Sequence, residues 1–369
     1  MSKPKTQAVS LAPDASQSTP LRPQPIAFQP SFKLFVVGVH FRKLLKQMQA
    51  GEVFVAKGSY ASVLGFYSWL KKQAAIQIPI HDFASSRANK ALLQSYSDRL
   101  LIPVSKGVCT LQGAPQNGWL TALYPEDAAF LLRFSDFLGL NGSWQWYVKG
   151  ISYPGLDYTL HPYYGVYFPT RTEHLVLFDG WLTKQPKINH ALDLGTGCGV
   201  LSHYLLKHGC EKVTATDINP NALSGIKADA EAQGLLPRLS LVMTSFFEGL
   251  DTKSIDLVVF NPPWIPAETD NWLDTATHYN PGFFEEFFTQ AAHALKPGTQ
   301  LVLLFSTFAL EAGLTQQHPI AEALKLSPFG VVIKREQPIK QPPSARKSWL
   351  SEIRKIEKNE LWVLKRLTD

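Results

Sequence analysis

A run of alternating glycines is the first feature of the sequence that could support chemistry. It comprises Asp193, Leu194, Gly195, Thr196, Gly197, Cys198 and Gly199. Glycine lets the backbone turn sharply and approach a ligand that a Cβ atom would block. The following amides and the N-terminus of the next helix then supply hydrogen-bond donors. Taken alone the pattern is weak, because glycine turns also serve plain strand-to-helix packing.

Asp217 adds context to the glycine run. It ends the next apolar stretch, just before Ile218, about where nucleotide-binding α/β folds place an acid against ribose hydroxyls. Two classes of nucleotide cofactor share this geometry. A dinucleotide site would prefer the spacing G-x-G-x-x-G, whereas the glycines here alternate.

The tetrad Asn261, Pro262, Pro263 and Trp264 separates the two classes. Consecutive prolines fix φ and remove two backbone donors, so we expect a rigid extended exit from the strand with carbonyl oxygens facing a cleft. The side-chain oxygen of Asn261 and the carbonyl of Pro262 can then accept from one planar NH₂ group. Trp264 offers a flat face on which an amide or a base can stack. The tetrad therefore predicts a site for a planar nitrogen.

The elements that position these residues follow from residue 190 onward, where apolar runs alternate with helical stretches as in a parallel βαβ sheet. The predicted strands are His190–Leu194, Lys212–Asp217, Leu239–Thr244, Ile255–Phe260, Gln300–Ser306, Gly330–Ile339 and Glu360–Leu367. Predicted helices include Pro281–Leu295, whose phenylalanines are expected in the core, and Pro319–Leu326. Ligands of such sheets bind along the edge where the parallel strands end.

The rest of the chain has a mixed pattern. Of its 369 residues 45% are hydrophobic and 18% charged, which excludes a mainly disordered chain, and the length suggests two domains. Residues 1–30 are proline-rich and predicted as a flexible tail. Residues 31–150 are predicted as a smaller α+β or mixed substrate-recognition domain. Residues 151–369 are predicted as the catalytic domain, which carries the glycine run and the tetrad. The elements predicted before residue 150 are Lys33–His40 and Gly51–Ala56 as strands, with Leu64–Ala75 and Pro125–Leu138 as helices.

The sequence predicts no metal site and no membrane partner. No zinc-type or disulfide-type spacing links the three cysteines, which are Cys109, Cys198 and Cys210. The histidines also lack ligand spacing and are expected on the surface or hydrogen-bonded in the core, among them His161, His174 and His278. No apolar run of about 18 residues is present, which predicts no membrane span, and the cysteine pattern makes a reducing cytoplasm the expectation. Oligomeric state is not indicated.

These motifs resemble the class I S-adenosylmethionine-dependent methyltransferases of the NPPY/NPPF type, over about residues 160–367. The similarity rests on Ala191–Gly199, on the stretch 217–220 and on the tetrad. The segment Tyr163–Leu175 is similar to the one that precedes the cofactor domain of the HemK/PrmC glutamine methyltransferases. The letters GCGVLS of residues 197–202 are similar to RsmC-type ribosomal RNA guanine methyltransferases. The resemblance implies a Rossmann-like, seven-stranded α/β domain that binds S-adenosylmethionine.

The family pattern also implies roles for single residues. The residues it places beside the methionyl part of the cofactor are Gly195, Thr196, Gly197 and Gly199. It places Asp217 on the ribose hydroxyls and Ile218 among the cofactor-binding residues, and Asp193 would orient the loop or the cofactor's amino group.

The adenine end departs from the family pattern. An aspartate usually follows the third strand and accepts from the adenine amine, whereas this chain has Ser245, followed by Phe246. Serine is shorter and uncharged, so we expect a weaker contact or one made by the backbone. Asn261 and the rest of the tetrad would hold the reacting nitrogen.

Three classes of function remain open. Methylation of an exocyclic base amine in RNA, above all ribosomal RNA, is slightly favoured by GCGVLS and by basic residues near the C-terminus. Methylation of a protein glutamine amide is favoured by Tyr163–Leu175, although HemK/PrmC enzymes have proline followed by arginine where this chain has Pro169, Thr170 and Arg171. A non-catalytic binding module is disfavoured by the intact glycines and tetrad, and a small-molecule amine is not excluded. The expected partner is thus RNA, a ribosome or a protein substrate.

A basic connection before the last strand is a candidate substrate contact. Net charge is +6 for the chain, and residues 334–369 carry ten Lys and Arg against five Asp and Glu. Within them, Gln341–Asn359 is long for a hairpin turn, is predicted to hold a short helix, and is hypothesised to bind phosphate near the site. The predicted substrate contacts are Thr170, Arg171, Arg354 and Lys355.

Overall fold

The computed structural model describes residues 19–35, 40–269, 272–340 and 348–368. Its contacts divide the chain into two compact units. The N-terminal unit comprises the described residues up to Pro79 together with Ala88–Trp144, and the C-terminal unit comprises Ile80–Arg87 and the described residues from Gln145 onward. Within these described residues, no helix is both long and apolar enough to cross a membrane.

A five-stranded sheet is the centre of the N-terminal unit, counted over its described residues. The strands are β1 (Lys33–Phe35), β2 (Phe54–Ala56), β3 (Leu100–Ser105), β4 (Val108–Cys109) and β5 (Ala129–Arg133). β1 and β3 flank β2 in parallel, whereas β4 and β5 pair with β3 antiparallel. The helices before residue 150 are α1 (Phe41–Gln49), α2 (Tyr60–Gln77), α3 (Phe83–Ser97), α4 (Trp119–Ala122) and α5 (Phe134–Lys149).

The predicted helix Pro125–Leu138 is wrong over Ala129–Arg133, which is β5. Its apolar run pairs with β3, Leu132 opposite Ile102 and Phe130 opposite Val104. An apolar run this short does not distinguish a buried strand from a buried helix by its periodicity. Here its burial in the sheet decides for the strand, and the helix α5 begins only at Phe134.

Residues 22–26 differ from the predicted flexible tail. Ile26 exchanges two backbone hydrogen bonds of 2.8 Å with Leu131. The hydroxyl of Tyr124 donates to the carbonyl of Pro23 at 2.8 Å, and the guanidinium of Arg22 lies 5.0 Å from the centre of the Tyr124 ring. These contacts fix residues 22–26 against the N-terminal sheet, while residues 1–18 lie outside the described residues.

The C-terminal unit is built on a seven-stranded sheet, as far as its residues are described, in the order β10-β9-β8-β11-β14-β16-β15. Its strands are β8 (His190–Leu194), β9 (Lys212–Asp217), β10 (Leu239–Met243), β11 (Leu257–Phe260), β14 (Gln300–Ser306), β15 (Phe329–Pro338) and β16 (Lys358–Arg366). The first five strands in this order, β10, β9, β8, β11 and β14, are parallel to one another. β16 is antiparallel to both of its neighbours. This confirms the predicted Rossmann-like α/β fold preceded by a smaller α+β unit.

Helices cover both faces of this sheet. They are α6 (Glu173–Leu182), α7 (Val200–Lys207), α8 (Pro220–Ala232), α9 (Trp272–Thr275), α10 (Phe283–Ala294), α11 (Phe308–Glu311), α12 (Pro319–Leu324) and α13 (Trp349–Ile356), with a 3₁₀ turn at Leu236–Arg238. Two short strand pairs, β6 (Ile151–Ser152) with β7 (Thr159–Leu160) and β12 (Ile265–Pro266) with β13 (His278–Tyr279), complete the unit. One core cluster includes Phe178 and Tyr204, and the other includes Phe287 and Phe305. Coverage on both faces explains why the parallel strands are apolar throughout.

Candidate functional site

The glycine loop between β8 and α7 requires glycine at Gly197. Its φ is +53°, and a Cβ atom there would lie 2.9 Å from the carbonyl oxygen of Tyr167. That oxygen accepts from the amide of Cys198 at 3.1 Å, so it cannot move aside without losing the bond. The loop therefore lies directly against the segment around Tyr167.

Gly199 serves packing instead of ligand contact. It has φ +81°, and a Cβ atom there would lie 2.6 Å from Cδ1 of Ile226 in α8. Gly195, Thr196 and Gly197 line the adjacent cavity, whereas Gly199 does not. Its predicted place beside the cofactor is thus not seen, because the residue faces the helix packed behind the loop.

Asp193 is not among the residues that line the cavity, and its second carboxylate oxygen has no hydrogen-bond partner within the described residues. One oxygen of its fully buried carboxylate accepts from the hydroxyls of Thr196 at 2.8 Å and Ser202 at 2.6 Å, and from the Ser202 amide at 3.0 Å. Burial raises the pKa of Asp193 to about 6, although these donors oppose the shift. Of the two predicted roles, the contacts correspond to orienting the loop.

Asp217, at the end of β9, presents its carboxylate next to the loop. One oxygen accepts from the amide of Gly197 at 2.9 Å and the other from the amide of Asn219 at 2.8 Å. Burial raises the pKa of this carboxyl above its ordinary value, opposed by its backbone donors. Each oxygen has a further lone pair, so the two together can accept from the two hydroxyls of a ribose.

A first cavity, here called the cofactor cavity, brings most of the predicted cofactor residues together. Those that line it are Gly195, Thr196, Gly197, Asp217, Ile218, Ser245, Phe246, Asn261 and Pro263. Phe283 lines it as well, so the expectation of a core position holds for Phe284, Phe287 and Phe288 but only in part for the first phenylalanine of α10.

The segment 163–169 forms a wall of the cofactor cavity that no residue prediction identifies. Two side-chain amides at the start of α8 hold this segment in place. Asn219 donates to the carbonyl of Gly165 at 2.8 Å, and Asn221 donates to that of Tyr164 at 2.7 Å. Tyr167 lines the cavity, and burial raises the pKa of its phenol to about 12. The similarity of Tyr163–Leu175 to a family segment is the available signal for this wall.

The tetrad follows β11 and carries an unpartnered acceptor. The side-chain oxygen of Asn261 is buried and, among the described residues, has no hydrogen-bond partner. Trp264 is held at both ends, because its indole N–H donates to the carbonyl of Leu304 at 3.3 Å and its amide to that of Thr277 at 3.1 Å. The tetrad is therefore fixed while its first side chain remains available to a ligand.

A second cavity shares Asn261 with the cofactor cavity. It includes Tyr167, Asn261 and Ala276, which also line the cofactor cavity. The other predicted site residues in its lining are Thr170, Arg171, Pro262, Trp264 and Arg354. Asn261 thus lies at the boundary between the two cavities, where a group from one can meet a group from the other.

The basic connection is largely paired with acids. Residues 349–356 form the predicted short helix, α13. Arg354 donates to both carboxylate oxygens of the buried Glu357 at 2.6 and 2.8 Å, and Lys355 pairs with Glu352 at 2.6 Å on the surface. Lys355 does not line the cavity, so its predicted substrate contact stays a prediction. Arg346 and Lys347 lie outside the described residues.

His174 departs from its expected environment, whereas other histidines do not. His161 bonds the carbonyl of Tyr147 at 2.6 Å and His278 bonds the hydroxyl of Thr277 at 3.0 Å, as expected of hydrogen-bonded histidines. His174 lines the second cavity, is fully buried, and has no hydrogen bond at either ring nitrogen within the described part of the chain. Across those same residues no group of three His, Cys, Asp or Glu could hold a metal ion.

Known proteins are similar to the part of the chain that carries this site. Residues 177–317 match the family model of the methyltransferase small domain. Over 199 residues the chain is 26% identical to a Methanocaldococcus jannaschii protein with the provisional name protein N5-glutamine methyltransferase, which covers 52% of this chain and 93% of that protein.

Two further relatives share shorter stretches. The ribosomal protein uL3 glutamine methyltransferase of Neisseria meningitidis is 34% identical over 108 residues, 28% of this chain and 35% of that protein. The release factor glutamine methyltransferase of Moorella thermoacetica is 40% identical over 79 residues, 20% of this chain and 27% of that protein. The chain thus spans about a third of the length of these two relatives.

The residues of the site fit the group that this family binds. The glycine loop leaves no room for a Cβ atom at Gly197, Asp217 keeps acceptor capacity beside it, and Asn261 offers a buried oxygen without a partner among the described residues. The strand order with an antiparallel β16 is the fold expected for it. Over residues 177–317 the chain matches the methyltransferase small domain, and the site built there supports an S-adenosylmethionine-dependent methyltransferase.

Proposed function

We propose that this enzyme methylates the side-chain amide nitrogen of a glutamine residue in a protein. The observation that carries the proposal is the buried oxygen of Asn261, which the described residues leave unpartnered at the boundary of two cavities. An unpaired buried acceptor costs about 1–3 kcal/mol, and a ligand with an N–H group would remove that cost. A primary carboxamide supplies such a group.

The names of the relatives favour glutamine over an RNA base. The sequence alone slightly favours an exocyclic base amine, on the basic C-terminal residues and on GCGVLS. The first support is weakened because Arg354 and Lys355 are paired with acids. Three relatives carry names of glutamine methyltransferases, two of them with a ribosomal protein or a release factor as substrate. A protein of the translation machinery is therefore the first substrate to test.

The chain's own residues would orient the nitrogen. The lone pair of an amide nitrogen is delocalised, so its attack requires alignment and acceptors for the positive N–H character that develops. Asn261 and the carbonyl of Pro262 would accept from the two N–H bonds and hold the nitrogen at the boundary of the cofactor cavity. Trp264, which lines the second cavity, would pack against the plane of the amide.

The residues of the cofactor cavity would hold the cofactor in place and take no part in the bond changes. Asp217 would accept from ribose hydroxyls, and the glycine loop would pass close to the methionyl part. When bound, S-adenosylmethionine supplies a methyl group on a positively charged sulfur. Methyl transfer would replace the S–C bond by a new N–C bond, and one of the two amide protons would leave to solvent.

The test is methyl transfer from tritiated S-adenosylmethionine into lysate of a strain that lacks this enzyme. We expect label that protease releases and ribonuclease does not. Acid hydrolysis followed by addition of alkali separates the products, because N5-methylglutamine yields glutamate and methylammonium, which alkali converts to volatile methylamine, whereas a methylated base remains non-volatile. Label in the base fraction would refute the glutamine assignment and support the RNA alternative.

A further inference from the structure

His174 is a buried polar group without an assigned task. It is the second residue of α6, is 1% exposed, and lines the second cavity together with Asn261, Pro262 and Trp264. Its ring meets that of Trp264 edge to face, with centroids 5.3 Å apart and planes at 86°. Neither ring nitrogen has a hydrogen-bond partner among the described residues. Buried polar groups are almost always hydrogen-bonded, so a bound ligand is expected to supply the partner that this imidazole lacks.

A carboxamide leaves one requirement that the tetrad does not meet. Its two N–H bonds match the oxygens of Asn261 and Pro262, but its carbonyl oxygen needs a donor. The two prolines of the tetrad cannot supply it, because proline lacks an N–H. A neutral imidazole has one N–H donor, and His174 lines the same cavity.

We propose that His174 determines specificity by donating its ring N–H to the carbonyl oxygen of the substrate carboxamide. The proposal rests on the proposed function and names the group that distinguishes an amide from a carboxylate. Burial lowers the pKa of His174 to about 3, so the ring is neutral at physiological pH. A neutral donor binds an amide oxygen without the attraction that a cation would exert on glutamate.

The charged groups of the same cavity are less suited to this role. Arg354 is engaged by the carboxylate of Glu357 and lies over the ring of Phe308 at 5.1 Å. Arg171 is partly exposed and forms no ion pair within 4.0 Å in the described part of the chain. Either cation would favour a carboxylate over an amide. Among the neutral donors of this lining, which also include the hydroxyls of Tyr167, Thr170 and Thr277, His174 is the one that packs against the ring of Trp264.

Two variants separate the donor from the ring. His174→Phe keeps an aromatic ring against Trp264 but loses both nitrogens, whereas His174→Gln keeps a neutral N–H donor. His203→Phe is the matched control, because His203 is also a fully buried histidine but lies outside both cavities. Cofactor binding by calorimetry should stay within about twofold of the wild type in all three, since none lines the cofactor cavity.

The measurement is inhibition of methyl transfer to lysate protein by two small probes at pH 7, N-acetylglutamine N-methylamide and N-acetylglutamate N-methylamide. In the wild type the amide should inhibit more strongly than the acid. His174→Phe should reduce this preference about 10- to 100-fold, the effect of one lost hydrogen bond to a buried group, and His174→Gln should restore part of it.

Four results would overturn the assignment of His174. Three of them concern the preference for the amide probe over the acid probe: it is absent in the wild type, it is unchanged in His174→Phe, or it changes equally in His203→Phe. The fourth applies if His174→Phe fails to bind cofactor, and is the loss of this preference in His174→Gln. Failure of the proposed function looks different, because the wild-type label would then not appear as methylamine. Methylamine together with an unchanged preference in His174→Phe refutes only the role of His174.

Discussion

At the scale of single residues, Asn261 and His174 each bury polar atoms that the described part of the protein leaves without partners. Asp193 adds a second arrangement, since one of its oxygens accepts three hydrogen bonds while the other, like those atoms, has no partner among the described residues. The first arrangement costs stability and favours a ligand, whereas the second fixes a loop. Substitutions at the two kinds of residue should therefore act on different observables.

Replacing Asn261 should separate activity from stability. Asn261→Ala removes an acceptor that no donor among the described residues uses, so the free energy of unfolding should stay the same or rise, while turnover falls about 100- to 1,000-fold. Asn221→Ala is the control, because that buried amide donates to Tyr164 at 2.7 Å and its loss should lower stability. Denaturant unfolding and tritium transfer measure both quantities. Equal destabilisation by the two variants would contradict the assignment.

The raised pKa of Asp193 predicts a pH-dependent stability. The folded-state pKa of about 6 exceeds the unfolded value near 3.9, so the folded state takes up a proton first as pH falls. The wild type should therefore gain about 2–3 kcal/mol of unfolding free energy relative to Asp193→Asn between pH 7 and pH 4. Other titrating groups cancel in this difference. A difference that does not vary with pH would show that the pKa of Asp193 is not perturbed.

At the scale of elements, the positive-φ glycines of the C-terminal unit have different neighbours. Gly199 abuts Ile226 of α8, whereas a Cβ atom at Gly209, where φ is +83°, would have nothing within 4 Å. Both would strain the backbone on substitution, but only one would also separate two packed elements.

Gly199→Ala should destabilise the protein more than Gly209→Ala does. The strain of a positive φ costs both variants about 1 kcal/mol, and overpacking against Ile226 adds about 1–3 kcal/mol to the first. Adding Ile226→Ala to Gly199→Ala should recover part of the overpacking cost. Chemical denaturation provides the comparison, and equal losses in the two single variants would argue against the close packing of α7 and α8.

Two ion pairs on α13 offer a second comparison. Arg354→Gln leaves the carboxylate of Glu357 buried without its cation and should cost about 3–5 kcal/mol, whereas Lys355→Gln breaks an exposed pair and should cost less than about 1 kcal/mol. Lys355→Gln should also leave the KM for the substrate unchanged. A large rise of KM in Lys355→Gln would restore the phosphate-binding hypothesis for this connection.

The sequence predicts the parallel sheet better than the N-terminal unit. For strands such as His190–Leu194 and Gln300–Ser306 the predicted bounds equal the observed ones, because burial on both faces makes them largely apolar. The three-residue strands of the N-terminal sheet carry too little pattern, and the apolar run of its β5 predicts a helix instead. Within the site, motifs identify Asp217 and Asn261, but the role of His174 depends on tertiary burial that spacing does not show.

At the scale of the whole molecule, cofactor binding acts on stability by mass action. A ligand that binds only the folded state stabilises it by about 2.7 kcal/mol at 100 times its Kd. The change in melting temperature on adding cofactor therefore measures the contacts of a few residues in the cofactor cavity. This measurement does not require the substrate to be identified.

Asp217→Ala should remove most of this stabilisation. At a cofactor concentration that raises the melting temperature of the wild type, the variant should show little shift, because the two acceptors for ribose hydroxyls are gone. Differential scanning calorimetry with S-adenosylmethionine and with its demethylated product measures the effect. An undiminished shift in Asp217→Ala would show that the ribose lies elsewhere.

The pairing of β12 with β13 has a consequence for how this enzyme can diversify. Trp264 and Ile265 both donate to the carbonyl of Thr277 at 3.1 Å, so the two ends of the excursion between them are tied together. Lengthening a closed loop costs only about 0.6 kcal/mol per doubling. Changes in length between these tied ends can therefore be accommodated, by evolution or by design, without displacing Asn261, so that new substrates are recruited there while the methyl-transfer geometry is inherited unchanged.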